Sequence, residues 1–174
     1  MGRTFLLTGL PGSGKTTCLK NLIDNLPGRA GGFYTEEVRE GGRRLGFRLI
    51  TLTGEKGILA HVDIKGRPRV GKYGVDLETL ERIGVTALEK ALIQDDYMVV
   101  DEIGKMELCS ERFKRVVWQG IESEKVVLGT IMLTPHPWAD RVKAHPMVTL
   151  FQVSHPNWEM VVAQVLGMLP LCQK

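Results

Sequence analysis

The sequence predicts an α/β domain in which a mostly parallel sheet carries helices on both faces and an antiparallel hairpin extends the sheet. Three observations support this prediction. Short apolar runs alternate with segments of helical periodicity, a glycine-rich loop separates the first such pair, and Glu40-Gly41-Gly42 joins two β-leaning runs. Since 174 residues suffice for one full core, we expect a single domain over residues 1–174.

Local patterns assign the elements in order. Apolar or β-branched runs predict strands, and apolar residues three and four apart predict helices. Asp76 and Ser110 are suited to cap two of the helices, and residues 65–74 are expected to form a basic loop. In chain order we expect strand 3–8, helix 15–26, strands 32–39, 43–52 and 57–62, helix 77–93, strand 96–101, helix 111–121, strand 125–131, helix 137–145, strand 147–153 and helix 158–166.

The loop after the first strand reads G-L-P-G-S-G-K-T from Gly9 to Thr16 and matches the phosphate-binding template G-x-x-x-x-G-K-[ST]. Its glycines allow backbone conformations that a Cβ forbids, so that the N–H groups can turn inward around a phosphate. Lys15 adds a charge that can reach the β- and γ-phosphates, and the Thr16 hydroxyl can ligate Mg²⁺. Because a helix follows the loop, its N-terminus also favours an anion.

A second motif ends the buried strand 96–101 with the acids Asp101 and Glu102. In phosphate-loop NTPases an acid at such a strand end holds Mg²⁺, and Asp101 fits this role. Glu102 can orient and deprotonate a water for attack on the γ-phosphate, as a general base. Glu107 is a competing base or a partner of the first, and Thr130 is either a sensor of the γ-phosphate or a strand residue. We therefore take Lys15, Glu102 and Glu107 as catalytic candidates, and Thr16 and Asp101 as metal ligands.

Hydrolysis also needs a positive group on the γ-phosphate in the transition state. The sequence leaves this choice open among seven cations: Arg43, Arg44, Arg48, Lys72, Lys105, Arg112 and Arg141.

Composition excludes several classes of protein. The net charge of +3 is too small to indicate nucleic acid as the main partner, and no apolar run approaches the roughly 20 residues that a membrane span needs. The N-terminus leads directly into a strand, so we expect no signal peptide. Cys18, Cys109 and Cys172 are odd in number and far apart, which argues against a disulfide framework or a zinc site. The cysteine pattern predicts a cytoplasmic protein. We separately expect a monomer.

Four strings of the chain resemble one known family. They are G-G-F-Y-T-E-E-V-R-E-G-G-R-R-L-G-F at 31–47, V-G-K-Y at 70–73, D-E-I-G-K-M-E at 101–107 and L-G-T-I at 128–131. Together they resemble the small nucleoside-triphosphatase family known from thermophiles and from a cancer-related human homologue. The resemblance runs from about residue 3 to about residue 166 and weakens in 134–146. It implies a P-loop NTPase fold with a RecA-like sheet, of the additional-strand, catalytic-glutamate division.

The resemblance also implies an activity, namely Mg²⁺-dependent hydrolysis of ATP, GTP, CTP, UTP and TTP to the diphosphate and phosphate. Little base discrimination is expected, and the guanine-specifying string N-K-x-D is absent from the sequence. Nucleotide contacts are expected in two segments: Gly9, Leu10, Pro11, Gly12, Ser13, Gly14, Lys15, Thr16 and Thr17, and then Val99, Val100, Asp101, Glu102, Ile103, Gly104 and Lys105.

Two alternatives share the phosphate loop and the Mg²⁺ site. A small-molecule or nucleoside kinase would transfer the phosphoryl group to an acceptor other than water, and the loop 67–72 could imitate its lid. A nucleotide-dependent switch or adaptor would instead need a partner surface, which no sequence feature identifies. Glu102 beside Asp101 favours water as the acceptor.

Overall fold

A nine-stranded sheet organises residues 3–170, which are the residues that the computed structural model describes. Hydrogen bonding places its strands in the order β5-β6-β4-β3-β2-β7-β8-β1-β9. The sheet changes character at β2, which has a parallel neighbour on one edge and an antiparallel neighbour on the other. The strands are β1 (Thr4–Thr8), β2 (Ala30–Glu40), β3 (Arg43–Thr51), β4 (Lys56–His61), β5 (Arg69–Val70), β6 (Tyr73–Val75), β7 (Tyr97–Ile103), β8 (Val126–Ile131) and β9 (Val148–Gln152).

The parallel half consists of β7, β8, β1, β9 and residues 30–33 of β2, and the rest of β2 belongs to the antiparallel half. Its inner strands are buried on both faces, as the continuous apolar runs predict. Since β8 lies between β1 and β7, the loop after β1 and the acids of β7 are separated by two strand spacings, about 10 Å. The carboxyl ends of these strands meet at one edge of the sheet, where the sequence places the loop and the acids.

The antiparallel half begins with the predicted hairpin of β2 and β3. Gly41 and Gly42 connect the strands with φ values of 54° and 78°, the positive values that a tight hairpin turn requires. The third predicted strand is also present as β4. The predicted loop 65–74 is wrong in part, because it contains the two-residue strand β5 and the start of β6. Strands this short leave no alternating pattern in the sequence.

Helices cover both faces of the sheet, which confirms the predicted fold class. Alternate residues of β1 point to opposite faces: Phe5 and Leu7 pack in the cluster that contains α1 and α6, and Leu6 packs in the other. The helices are α1 (Lys15–Asp24), α2 (Leu77–Thr79), a π-helical segment (Leu80–Val85), α3 (Thr86–Gln94), a 3₁₀ turn (Glu107–Cys109), α4 (Glu111–Glu122), α5 (Pro137–Lys143) and α6 (Trp158–Met168).

Two details refine the sequence-based expectations. The helix expected at 77–93 includes the π-helical segment, whose wider hydrogen-bonding pattern cannot be read from apolar spacing. Asp76 and Ser110 do cap their helices, through bonds from the backbone N–H groups of Thr79 and Phe113.

Cys18 and Cys109 are free thiols, and Cys172 lies outside the described residues. None of the helices within residues 3–170 is long and apolar enough to cross a membrane.

Candidate active site

The loop between β1 and α1 has the backbone that phosphate binding requires. Gly12 and Gly14 have φ values of 75° and 92°, which side chains other than hydrogen rarely allow. The Lys15 ammonium lies over the loop and donates to the carbonyl oxygens of Gly9 and Leu10, at 2.8 and 3.2 Å. The Ser13 hydroxyl is buried and has no hydrogen-bond partner among the described residues. A cation, a buried hydroxyl donor and the start of α1 therefore converge on one loop.

Asp101 connects this loop to the centre of the sheet. Its carboxylate accepts hydrogen bonds from the Thr16 hydroxyl at 3.1 Å and from the Thr130 hydroxyl at 2.6 Å. Asp101 is only 1% exposed, and burial raises its pKa, against the lowering effect of these bonds and of the Lys15 charge. Thr130 is wholly buried, and its hydroxyl contacts the Asp101 carboxylate.

The donor set at Thr16 and Asp101 fits Mg²⁺. A hydroxyl and a carboxylate oxygen are hard ligands, and they lie together beside the phosphate loop. Within residues 3–170, no Lys, Arg or His nitrogen lies within 4.0 Å of the Asp101 carboxylate to neutralise its charge. The same residues contain no group of three or more His, Cys, Asp or Glu side chains able to hold a metal alone. Mg²⁺ commonly binds with few protein ligands, the rest being water and phosphate oxygens.

Glu102 and Glu107 meet beside Gly104. A Cβ on Gly104 would lie 2.5 Å from Glu102 Oε1 and 3.1 Å from Glu107 Oε2, so both carboxyl groups border the same small space. Burial, followed by the charge of Asp101, raises the pKa of Glu102, and Lys15 lowers it. Burial, followed by the charge of Glu102, holds the pKa of Glu107 well above its ordinary value. Glu107 is 4% exposed, whereas Glu102 is more accessible at the end of β7.

One cleft of about 1000 Å³ contains the phosphate loop and these acids. The predicted site residues that line it are Pro11, Gly12, Ser13, Gly14, Lys15, Thr16, Thr17, Asp101, Glu102, Lys105 and Glu107. Val99, Val100 and Ile103 are wholly buried and do not line it, so they support the acids from within the sheet. Gly9, Leu10 and Gly104 also lie outside its lining. Predicting a contact for a whole segment ignores the alternation of side chains along a strand.

The structure narrows the choice of the cation that could stabilise charge on the γ-phosphate. Of the seven candidates, all within the described residues, Arg44 and Lys105 line the cleft. Arg44 is paired with Glu37, whereas no carboxylate among residues 3–170 lies within ion-pair distance of Lys105. The others are placed elsewhere: Arg48 pairs with Glu36, Arg112 pairs with Glu89, Arg141 lies over Trp118, and Arg43 and Lys72 do not line the cleft.

Several residues that line the cleft were not among the site residues predicted from the sequence. The antiparallel half lines a part of the cleft that no phosphate-loop motif predicts. Its lining residues include Thr35, Glu36, Glu37, Phe47, Leu59, Val70 and Tyr73. The strings at 31–47 and 70–73 contain most of these residues, but the strings do not state that their side chains face a ligand. His155, after β9, borders the cleft as well.

Comparison with known proteins gives one consistent family. The family model described as NTPase matches residues 4–166. The nucleoside-triphosphatase THEP1 of Thermotoga maritima is 48% identical over 165 residues, covering 95% of this chain and 94% of that protein. The crystal structure of THEP1 from Aquifex aeolicus has a TM-score of 0.87 at 34% identity, covering 95% of this chain and 98% of that one. The solution structure of a human cancer-related nucleoside triphosphatase has a TM-score of 0.80 at 34% identity, covering both chains fully. The chain belongs to the NTPase family, and the predicted enzyme class is confirmed.

Proposed function

We propose that this member of the NTPase family hydrolyses nucleoside 5′-triphosphates to the diphosphate and phosphate, with Mg²⁺ and with broad tolerance of the base. One observation supports this most directly: the Thr16–Asp101 pair and Glu102 border the same cleft as the phosphate loop. Binding groups, metal ligands and a base are therefore available to one triphosphate. The name of these relatives, nucleoside-triphosphatase, agrees with this proposal.

The loop and α1 would bind the phosphates. Backbone N–H groups at the N-terminus of α1, which follows Gly14, would donate to the β- and γ-phosphates, and Lys15 would supply a positive charge. The Ser13 N–H already donates to the Leu10 carbonyl oxygen. Mg²⁺ held at Thr16 and Asp101 would neutralise charge on the β- and γ-oxygens. Thr130 keeps the Asp101 carboxylate oriented toward Thr16. Because these groups contact phosphates and not bases, ATP, GTP, CTP, UTP and TTP are all expected substrates.

Glu102 is the proposed general base. It lines the cleft next to Asp101, and a water between it and the γ-phosphate would lose its proton to the Glu102 carboxylate. As the water oxygen bonds to phosphorus, the bond from phosphorus to the bridging oxygen breaks and the electron pair leaves with the diphosphate. Glu107 is the buried partner: its raised pKa favours a neutral carboxyl, which leaves the negative charge on Glu102. Gly104 leaves the space in which both side chains fit.

Lys105 is the proposed cation for the charge that develops on the γ-phosphate. It comes three residues after Glu102, lines the cleft and forms no ion pair with a carboxylate among the described residues. Arg44 is less suited, because Glu37 and Tyr73 already engage its guanidinium.

The protein is further proposed to act as a monomer in the cytoplasm. Sedimentation of the purified chain tests the first point, and fractionation of cells tests the second.

Phosphate release tests the proposal. The full chain is incubated with each of the five nucleoside triphosphates, with Mg²⁺ and with EDTA, and no phosphoryl acceptor is added. Release from all five in Mg²⁺, with none in EDTA, is the expected result. Release that persists in EDTA contradicts the metal assignment. A lack of release from every nucleotide would instead favour the kinase or the switch.

A further inference from the structure

The cleft continues beyond the catalytic groups into the antiparallel half of the sheet. We call this part the aromatic compartment and define it by Phe47, Leu59, Val70 and Tyr73, which come from β3, β4, β5 and β6. Thr35, Glu36 and Glu37 of β2 line the cleft between it and the catalytic acids. The strand order places the compartment across β2 from the phosphate loop. The proposed hydrolysis assigns no role to it.

The compartment lies on the side from which the γ-phosphate would be attacked. In-line displacement requires the attacking oxygen opposite the bridging oxygen, and Glu102 marks that side. Since β7 and β2 lie between β8 and the antiparallel half, the acids and the compartment are on the same side of the loop. The remainder of the nucleotide would then extend away from the acids, toward β9 and His155. The compartment is therefore separate from the expected position of the nucleotide's own base.

Two aromatic rings and a guanidinium meet in the compartment, in which Leu59 and Tyr73 are buried and Phe47 and Val70 are partly exposed. Phe47 and Tyr73 meet edge to face, with their centroids 5.4 Å apart. The Arg44 guanidinium carbon lies 5.2 Å from the Phe47 centroid and 5.9 Å from that of Tyr73. Arg44 is fixed there because it donates to the Tyr73 hydroxyl at 3.0 Å and to Glu37 at 2.9 Å. Apolar and aromatic walls with a few fixed polar groups are typical of small-molecule sites.

Charge and size further restrict the occupant. Arg44 and Glu37 pair with each other, and Glu37 also accepts from Arg39. The guanidinium and the carboxylate have further N–H groups and lone pairs beyond these bonds, which suit a ring with hydrogen-bonding edges better than a hydrocarbon or a polyanion. The whole cleft, about 1000 Å³, is at the upper end of the range of roughly 300–1000 Å³ for ligand pockets. A second compound of nucleoside size is therefore compatible with a bound triphosphate.

We propose that the aromatic compartment binds a planar heteroaromatic compound of nucleoside size, beside the terminal phosphate of a nucleotide already held by the phosphate loop. This inference rests on the proposed function, since it takes the triphosphate to be bound at Gly9 to Thr16. The bound compound contacts Phe47, Tyr73 and Arg44, and Glu37 accepts a hydrogen bond from its ring edge. It stands where a ligand other than water can approach the γ-phosphate.

Equilibrium dialysis of the full chain tests the site, with adenosine, guanosine, cytidine, uridine and thymidine as labelled probes. The chain is first saturated with Mg²⁺ and the non-hydrolysable analogue AMP-PNP. At least one nucleoside is expected to bind once per chain to this complex. Phe47→Ala and Arg44→Gln should each weaken that binding by roughly tenfold or more, since ring stacking on an aromatic side chain carries much of such affinity. Their affinity for AMP-PNP should stay within about threefold of wild type.

The controls separate a lost contact from a lost fold. Phe151→Ala removes a half-buried strand phenylalanine that does not line the cleft, and it should leave nucleoside binding unchanged. If Phe47→Ala unfolds, Phe47→Leu keeps an apolar side chain without the ring and should show the same loss.

The proposal is overturned if no nucleoside binds the saturated complex, if AMP-PNP displaces every nucleoside, or if Phe47→Ala weakens AMP-PNP as much as it weakens the nucleoside. Failure of AMP-PNP to bind the wild-type chain would instead refute the proposed function on which the inference rests.

Discussion

The two halves of the sheet shift the pKa values of their carboxyl groups in opposite directions. In the parallel half, burial raises the pKa values of Asp101, Glu102 and Glu107. In the antiparallel half, hydrogen bonds from Arg44, then from Arg39, lower the pKa of Glu37 although burial opposes them. Parallel strands are covered on both faces and end together, so acids at their ends lose water. The antiparallel strands have an open face, where acids pair with arginines. The first environment suits proton transfer and the second suits ligand recognition.

Lys15→Ala should cause the largest loss of activity, because it removes the cation that the phosphate loop of the parallel half would offer to the phosphates. We expect turnover to fall below detection, a loss on the order of 10³-fold or more, since removing even one neutral donor commonly costs 10²–10³-fold. Phosphate release measures the loss, and circular dichroism checks the fold. Turnover near the wild-type rate with a native spectrum would contradict the phosphate-loop assignment.

Glu102→Gln tests whether Glu102, whose pKa is raised by burial, acts as the general base. Glutamine keeps the size of the side chain and cannot accept a proton, so kcat should fall by roughly 10²–10⁴-fold while nucleotide affinity changes little. Glu107→Gln is the matched control, because it alters the neighbouring carboxyl and should reduce kcat less. If Glu107→Gln is the inactive variant and Glu102→Gln stays active, the roles of the two acids are reversed.

Gly104→Ala tests how closely the acids are positioned. The added Cβ would lie 2.5 Å from Glu102 Oε1, so the Glu102 side chain must move. A displacement of about 1 Å can cost about 10²-fold in rate, and we expect a fall in kcat of roughly tenfold to a hundredfold. Gly167→Ala is the control, since a Cβ there meets no atom within 4 Å and the residue lies in α6. Equal kcat values for the two variants would show that the space at Gly104 is not needed.

Lys105→Ala and Arg44→Gln compare the two of the seven candidate cations that line the cleft. Lys105→Ala should lower kcat by about tenfold, which corresponds to about 1.4 kcal/mol of transition-state stabilisation. Arg44→Gln should leave kcat nearly unchanged, because its guanidinium is engaged by Glu37 and Tyr73. Steady-state kinetics at saturating nucleotide measure both values. A larger loss for Arg44→Gln would transfer the role to the antiparallel half.

The smallest expected effect is that of Glu107→Gln on the pH dependence of the free energy of unfolding. The pKa of Glu107 is higher in the folded chain than in the unfolded one, so the folded state binds more protons between the two pKa values. The free energy of unfolding therefore falls as pH rises from the unfolded pKa, near 4.3, through the folded pKa. Glu107→Gln should remove this pH dependence and be more stable than wild type at high pH. Urea unfolding without metal or nucleotide measures it, and a variant less stable at every pH would contradict the assignment.

Short-range features of the sequence were enough for much of this molecule. The octapeptide at Gly9 predicts a strand, a loop and a helix because its glycines and its lysine serve one local geometry. The paired glycines at 41 and 42 predict a hairpin, and Asp76 and Ser110 predict two helix caps, because each acts within a few residues. The Asp101-Glu102 pair at the end of an apolar run likewise indicates acids at the edge of a parallel sheet.

Other features depend on residues far apart in the chain, and only the tertiary structure decided them. Thr130 lies behind Asp101 because β8 pairs with β7, and the burial that distinguishes Glu107 from Glu102 comes from packing around the 3₁₀ turn. The proposal of Lys105 rather than Arg44 as the cation rests on the ion pair of Arg44 with Glu37. The aromatic compartment unites Phe47 and Tyr73 from strands whose neighbours are set by the sheet order. Sequence by itself determined the local chemistry, whereas desolvation and long-range pairing arose only when the strands assembled.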